Sequence, residues 1–190
     1  MRSWVKWGLP VSVLALLAGG GGGVLLAETY YREPARPQAE QGEDVAQSVE
    51  SPEGVVYMPG ALEHPDQREV QRLLDDHFRS INTRNYDLWK STVVRSKWDE
   101  LPKAKWLTAY GTTDDLDIAV HRIDPGPDGS LLALLTFKSY QTPDAAPPDM
   151  PVGCLDWNLV YPMVVDESGK SLRLDTSKLP NSALRKPCAG

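Results

Sequence analysis

His77 is the histidine whose position in this sequence most nearly fits acid–base chemistry. It lies four residues after Leu73 and three after Leu74 on the apolar stripe of a predicted helix, so its imidazole should point toward the core. A general base also needs a partner that holds its tautomer, and a core histidine satisfied by one hydrogen bond is the more common outcome. We therefore predict no catalytic residue here and treat His77 as a candidate for lining a ligand pocket.

A second group of polar side chains falls on a predicted strand. Asp156 and Asn158 alternate with Trp157 and Leu159, so they share the opposite face, where they could meet His121 from another strand. We interpret this surface as the ordinary solvated face of an antiparallel strand. If the faces are inverted, the same acid and amide would line a pocket instead.

The only two cysteines are Cys154 and Cys188. An even pair in an oxidising exterior predicts a disulfide, which would fasten the C-terminal tail to a strand and stabilise the domain by roughly 3 to 4 kcal/mol. Two free thiols or a metal pair are the alternatives, but two cysteines with no nearby histidine make a poor zinc site. We predict neither a metal site nor a cofactor.

Composition excludes one class of partner. The chain has 20 basic and 26 acidic residues and a pI near 5.1. A protein that binds nucleic acid needs clustered lysine and arginine to neutralise phosphates. Nucleic acid is therefore not an expected partner.

The N-terminal segment predicts a membrane anchor. Residues 9–27 contain no charge and would rise roughly 28 Å as a helix, close to the thickness of a bilayer's hydrocarbon core. Arg2 and Lys6 precede the run and Glu28 follows it, so residues 1–8 should stay in the cytoplasm. We predict a single-pass protein of the cytoplasmic membrane with its C-terminal domain outside. The competing interpretation is a secretory signal cleaved at the end of the apolar run.

A linker and one folded domain should follow the anchor. Residues 28–65 are rich in Pro, Glu, Gln, Gly and Ser and have few large apolar side chains, which predicts a disordered tether. Residues 55–58 interrupt it and could instead form a short strand docked on the domain. The folded domain is predicted at 66–190.

The domain's pattern changes from helical to strand-like along the chain. Asp66 and Glu69 have the spacing of a capping box, and beyond Gly111 the apolar period falls to two. Helices are predicted from residue 66 and at 86–94 and, in two pieces, 96–110; strands are predicted around 116–120 and at 131–140, 154–165 and 171–175. This order predicts an α+β fold with the helices packed in the concave face of a curved antiparallel sheet.

Four stretches carry a recognisable pattern: EVQRLLDDHFRSINTRNYDLWKSTV, WLTAYGTTDDLDIAVHRI, LLALLTFKSYQ and CLDWNLVYPMVVDESGKSLRLD. Together they resemble the nuclear transport factor 2-like superfamily, also called SnoaL-like or cystatin-like, in its membrane-anchored extracytoplasmic actinobacterial form. The resemblance implies a cone, in which a sheet wraps a long N-terminal helix around a pocket. Some members are isomerases, dehydratases or cyclases, and many are non-catalytic modules. Members like ketosteroid isomerase place a tyrosine on the opening helix, whereas this helix offers His77 and no tyrosine.

Two functional hypotheses follow. The favoured one is a non-catalytic binding or assembly module of the cell envelope, acting with an envelope protein or as a homodimer. The alternative is a small cofactor-free lyase or isomerase that takes an apolar ligand in the cone, for which His77 and Asp156 would have to face each other across a cavity.

Overall fold

A computed structural model describes residues 47–180 and 182–189. The predicted anchor at 9–27 and the start of the predicted linker lie outside these residues. Within the described ranges, no helix combines the length and the apolar character needed to cross a bilayer.

Short helices precede most of the sheet. The helices are α1 Pro59–Leu62, α2 Gln67–Asn82, α3 Tyr86–Thr92, α4 Arg95–Glu100 and α5 Lys103–Tyr110, and the strands are β1 Val49–Glu50, β2 Val56–Tyr57, β3 Asp114–Pro125, β4 Leu131–Tyr140, β5 Cys154–Val165, β6 Leu172–Leu174 and β7 Ala183–Pro187. The sheet runs in the order β1 to β6, and β7 pairs with the first half of β5. The α+β class predicted from the sequence is confirmed.

Helix α2 packs its apolar stripe on one face of the curved sheet, which we call the inner face; the other is the outer face. The buried side chains of α2 repeat at helical spacing and are Val70, Leu73, Leu74, His77, Phe78, Ser80 and Ile81. Phe78 meets Phe137 of β4 with ring centroids 5.3 Å apart. The predicted capping box does not form, because Asp66 makes no side-chain cap and Glu69 Oε1 accepts the N–H of Leu172 instead.

The chain joins the domain earlier than the predicted boundary at residue 66. Val55 and Tyr57 are fully buried, and β2 lies parallel to β3. The Tyr57 hydroxyl and Ser51 Oγ both donate to Asp75 Oδ1, at 2.8 and 2.9 Å. Residues from 49 onward therefore belong to the folded domain, and the sheet is mixed rather than wholly antiparallel.

A bulge in β3 changes which side chains face inward. Asp117 has a φ of 52°, and the β3–β4 register shifts between Leu116 and Ala119. The alternation of buried and exposed side chains therefore breaks at the start of β3, since Leu116 is 51 % exposed and Asp115 only 4 %. The inward position at the start of β3 is held by a carboxylic acid instead of a leucine.

Strand β5 has the faces predicted from its alternation. Leu155, Leu159 and Met163 are buried on the inner face. The predicted disulfide joins Cys154 to Cys188, whose Cα atoms are 5.5 Å apart. It fastens the end of β7 to the start of β5.

Candidate functional site

Three of the four predicted site residues lie on the outer face. Asp156 and Asn158 line a groove of about 460 Å³ that we call the outer groove. The residues that line it come from β3, β4, β5 and β7 and are Asp117, Thr136, Phe137, Lys138, Asp156, Trp157, Asn158, Leu184, Arg185 and Lys186. Strand pairing sets Lys138, Asp156 and Lys186 in one row across the sheet.

His121 also lies on the outer face, where it contacts Thr136. Its Nε2 lies 2.9 Å from the hydroxyl of Thr136, and Thr136 is the cross-strand partner of Asn158. The second register shift in β3 places His121 outward and exposed. His121 thus lies on the same face as the polar side chains of β5, with Thr136 of β4 between them.

Ion pairs and an exposed leucine are the main chemical features of the outer groove. Lys138 pairs with Asp117, which raises the pKa of the Lys138 ammonium. Leu184 is 70 % exposed, the most exposed large apolar side chain among the described residues. The groove can offer paired charges, an amide and one apolar contact point to a ligand.

His77 lies on the inner face and has a structural partner. The Thr92 hydroxyl donates its single hydrogen to the Trp89 carbonyl, 2.8 Å away, so Thr92 can only accept from His77 Nδ1, at 2.9 Å. The proton of the neutral imidazole therefore sits on Nδ1. Burial lowers the pKa of His77 to about 4, so the ring is neutral at pH 7.

His77 and Asp156 are not brought together. His77 packs edge-on against Tyr161, with ring centroids 5.6 Å apart, beneath the inner face. Asp156 alternates with the buried Leu155 and projects from the outer face. The sheet lies between the two groups that the enzyme hypothesis pairs.

The sequence analysis did not predict a polar cluster on the inner face, which is formed by Asp115, Ser139, Tyr110 and Tyr161. Burial raises the pKa of Asp115 to about 6, against a hydrogen bond from Ser139 that lowers it. Burial and then the nearby Asp115 raise the pKa of Tyr110 to about 12, and burial with both neighbours raises that of Tyr161. The signal that could have found it is Asp117, because aspartate is among the residues that tolerate a positive φ and so permit a bulge.

A second cavity, of about 500 Å³, opens between α4 and the inner face of β5. Its floor includes Leu159 and Tyr161, so it reaches the phenol that touches His77. The remaining lining residues are Lys97, Glu100, Thr176, Ser177, Leu179, Pro180, Ser182 and Ala183. We call it the α4–β5 cavity.

Comparison with protein-family models, curated protein sequences and solved structures finds no match. The function must therefore be argued from the sequence and from these surfaces.

Proposed function

We propose that this protein is a non-catalytic binding or assembly module of the cell envelope, held outside the cytoplasmic membrane by its N-terminal segment. The observation that carries the proposal is the separation of His77 from Asp156 by the sheet. A general acid–base pair must reach the same reacting atoms, and these two groups face opposite ways. The sequence resemblance to the nuclear transport factor 2-like superfamily, many of whose members are non-catalytic modules, agrees with this proposal.

The packing around His77 supports the non-catalytic assignment. Phe78 and Tyr161 flank the imidazole at 5.8 and 5.6 Å between ring centroids, and Thr92 occupies Nδ1. Aromatic rings that meet edge to face fill space and stabilise a core. Such surroundings fit a histidine that holds α2 against α3.

The outer groove is the surface we assign to a protein partner. Leu184 offers an apolar contact amid the charges of Lys138, Asp156 and Lys186. An apolar anchor with a charged rim is the arrangement found in protein interfaces, where the anchor contributes affinity and the charges set register. The partner is an envelope protein or a second copy of this chain.

Site-specific cross-linking tests this assignment. A photoreactive residue replaces Leu184 in the full-length chain, expressed in its own cell membranes, and a matched variant carries it at Leu107, which is also exposed but lies on α5. We expect a discrete cross-linked species from position 184 that is absent from position 107 and is abolished by Asp156→Lys. Mass spectrometry then separates a homodimer from a different protein. Equal labelling at both positions, or none at 184, rejects the outer groove as the binding surface.

The membrane placement has its own test. Full-length protein should sediment with membranes, with its C-terminal domain accessible to protease from outside the cell. A soluble chain that begins at Glu28 would establish the cleaved-signal alternative instead.

A small-ligand function is the second candidate, because the α4–β5 cavity brings open space to the Tyr161 phenol beside His77. In that case an apolar compound should copurify with the protein and be lost from Leu159→Trp, which fills the cavity. Ala183→Ser, in the same lining, is the control that leaves the space open. If the wild-type protein and both variants yield no bound compound, this candidate is rejected.

A further inference from the structure

A third concavity lies between α2, the end of α3 and the start of β6, away from the outer groove and the α4–β5 cavity. It has a volume of about 240 Å³, and we call it the α2–β6 groove. The residues that line it are Glu69, Arg72, Leu73, Asp76, Ser91, Thr92, Lys170, Ser171, Leu172 and Arg173.

The carboxylates of this groove are already engaged. Glu69 Oε1 accepts the backbone N–H of Leu172 at 3.2 Å, which ties α2 to β6. Asp76 pairs with Arg79 on the next turn of α2. Neither acid forms an ion pair with Arg72, Lys170 or Arg173.

Two of the cations have no such engagement. Within residues 47–180 and 182–189, no carboxylate lies within 4.0 Å of the side-chain nitrogens of Arg72 or Lys170. Arg173 is held by Asp166 at 3.4 Å and by the carbonyl of Leu172. The lining residues comprise three cations and two carboxylates, so the groove has a net positive charge of one in a chain of net charge −6.

Buried side chains form the floor of the α2–β6 groove. Leu73, Thr92 and Leu172 are buried beneath the cations, and the Thr92 hydroxyl is already fixed between Trp89 and His77. A rigid floor with charged walls binds the charged end of a ligand and leaves the rest at the surface.

We propose that the α2–β6 groove binds a phosphate group, with Arg72 and Lys170 as its cationic ligands and the Ser171 hydroxyl as an additional donor. A guanidinium donates two parallel hydrogen bonds to phosphate oxygens, and an ammonium supplies a point charge. The group belongs either to a soluble phosphate compound or to the headgroup of an anionic lipid, because both present the same oxygens. The site does not rest on the function proposed above.

Calorimetric titration of the full-length chain with inorganic phosphate, at constant ionic strength against chloride, tests the site. We expect saturable binding by the wild-type protein and a dissociation constant that rises roughly tenfold or more in the Arg72→Ala/Lys170→Ala variant. Arg68→Ala/Lys178→Ala removes the same charges at exposed positions outside the groove and should bind like the wild type. Circular dichroism verifies that both variants fold. Absence of binding to the wild type, or equal binding by both variants, overturns the proposal.

The source of the phosphate is decided by repeating the titration in nanodiscs. Full-length protein is placed in phosphatidylcholine alone or in phosphatidylcholine with phosphatidylglycerol. Weaker apparent phosphate binding in the second, seen for the wild type and the Arg68/Lys178 control, means that a lipid headgroup competes for the groove. Unchanged binding means that the groove serves a soluble phosphate compound.

Discussion

The inner and outer faces of the sheet both carry histidine and aspartate side chains, but those on the inner face are buried and those on the outer face border water. On the inner face, burial moves the pKa of His77 down and that of Asp115 up, so both favour their neutral forms. On the outer face, His121 stays in contact with water and Asp156 shares its row with two lysines. The comparison teaches that the face of the sheet on which a histidine or an acid lies, and not its residue type, decides whether it is buried in the core or open to a partner.

Truncation of an inner-face aromatic should give the largest effect. Phe78→Ala removes a buried ring that contacts Phe137 and should lower the free energy of unfolding by about 3 to 5 kcal/mol. Urea denaturation of the full-length protein measures it. Tyr140→Ala, at an exposed position, should cost no more than about 0.5 kcal/mol. Similar losses at both positions would remove the distinction between the faces.

Loss of the disulfide should come next. The Cys154→Ser/Cys188→Ser variant should lose about 3 to 4 kcal/mol, because a long loop is no longer closed in the unfolded chain. Thermal unfolding with and without reductant measures the loss. Reductant should destabilise the wild type and leave the variant unchanged, and an equal response of the two would contradict the prediction.

His77 and Asp115 should change the stability of the protein in opposite directions as the pH changes. His77 has its pKa lowered from 6.5 to about 4, so its contribution is complete above pH 6.5 and is lost as the pH falls toward 4. Asp115 has its pKa raised from 3.8 to about 6, so its contribution is complete below pH 3.8 and is lost as the pH rises toward 6. Each amounts to up to about 3 kcal/mol, and in the wild type they oppose each other.

Single variants should therefore uncover opposite slopes. Relative to the wild type, Asp115→Asn should become less stable as the pH falls from 6.5 to 4, and His77→Gln should become more stable over the same range. Urea midpoints across this range measure both slopes, independently of any constant loss that a variant causes. Parallel curves for all three proteins would show that these groups do not titrate as their burial predicts.

Outer-face substitutions should give the smallest effect on stability. Asn158→Ala and Asp156→Ala should each change the free energy of unfolding by no more than about 0.5 kcal/mol, since both side chains border water. The same variants should weaken cross-linking from position 184. A stability loss above about 2 kcal/mol would mean that this face is part of the core.

Local patterns in the sequence predicted much of the fold. The period of α2, the division of 96–110 into two helices, the strands at 131–140 and 154–165 and the faces of β5 were all predicted, because each depends on residues close together in the chain. The cysteine pair was also predicted, since only one pairing exists.

Long-range contacts account for what was missed. Two contacts tie Tyr57 to the domain. Its hydroxyl donates to Asp75, eighteen positions later, and β2 pairs with β3 more than sixty positions away. Asp115 faces inward because Asp117 takes a left-handed backbone, which alternation alone does not foresee. The inward position of His77 and the shared face of Asp156, Asn158 and His121 were thus predicted from the sequence, whereas the buried position of Asp115 was not.

The hydrogen bonds at Asp75 also have a mechanical consequence. A chain anchored at its N-terminus transmits any pull through residue 47 into β1, which has only two paired residues. Once β1 separates from β2, the force acts on the hydrogen bonds from Ser51 and Tyr57 to Asp75 and is transmitted to the middle of α2. Strand β2 is in turn held by its parallel pairing with β3. If the N-terminal segment is the membrane anchor proposed above, a pull between the membrane and a partner on the outer groove would act on β1 and these hydrogen bonds as well as on the partner, because links in series carry the same force.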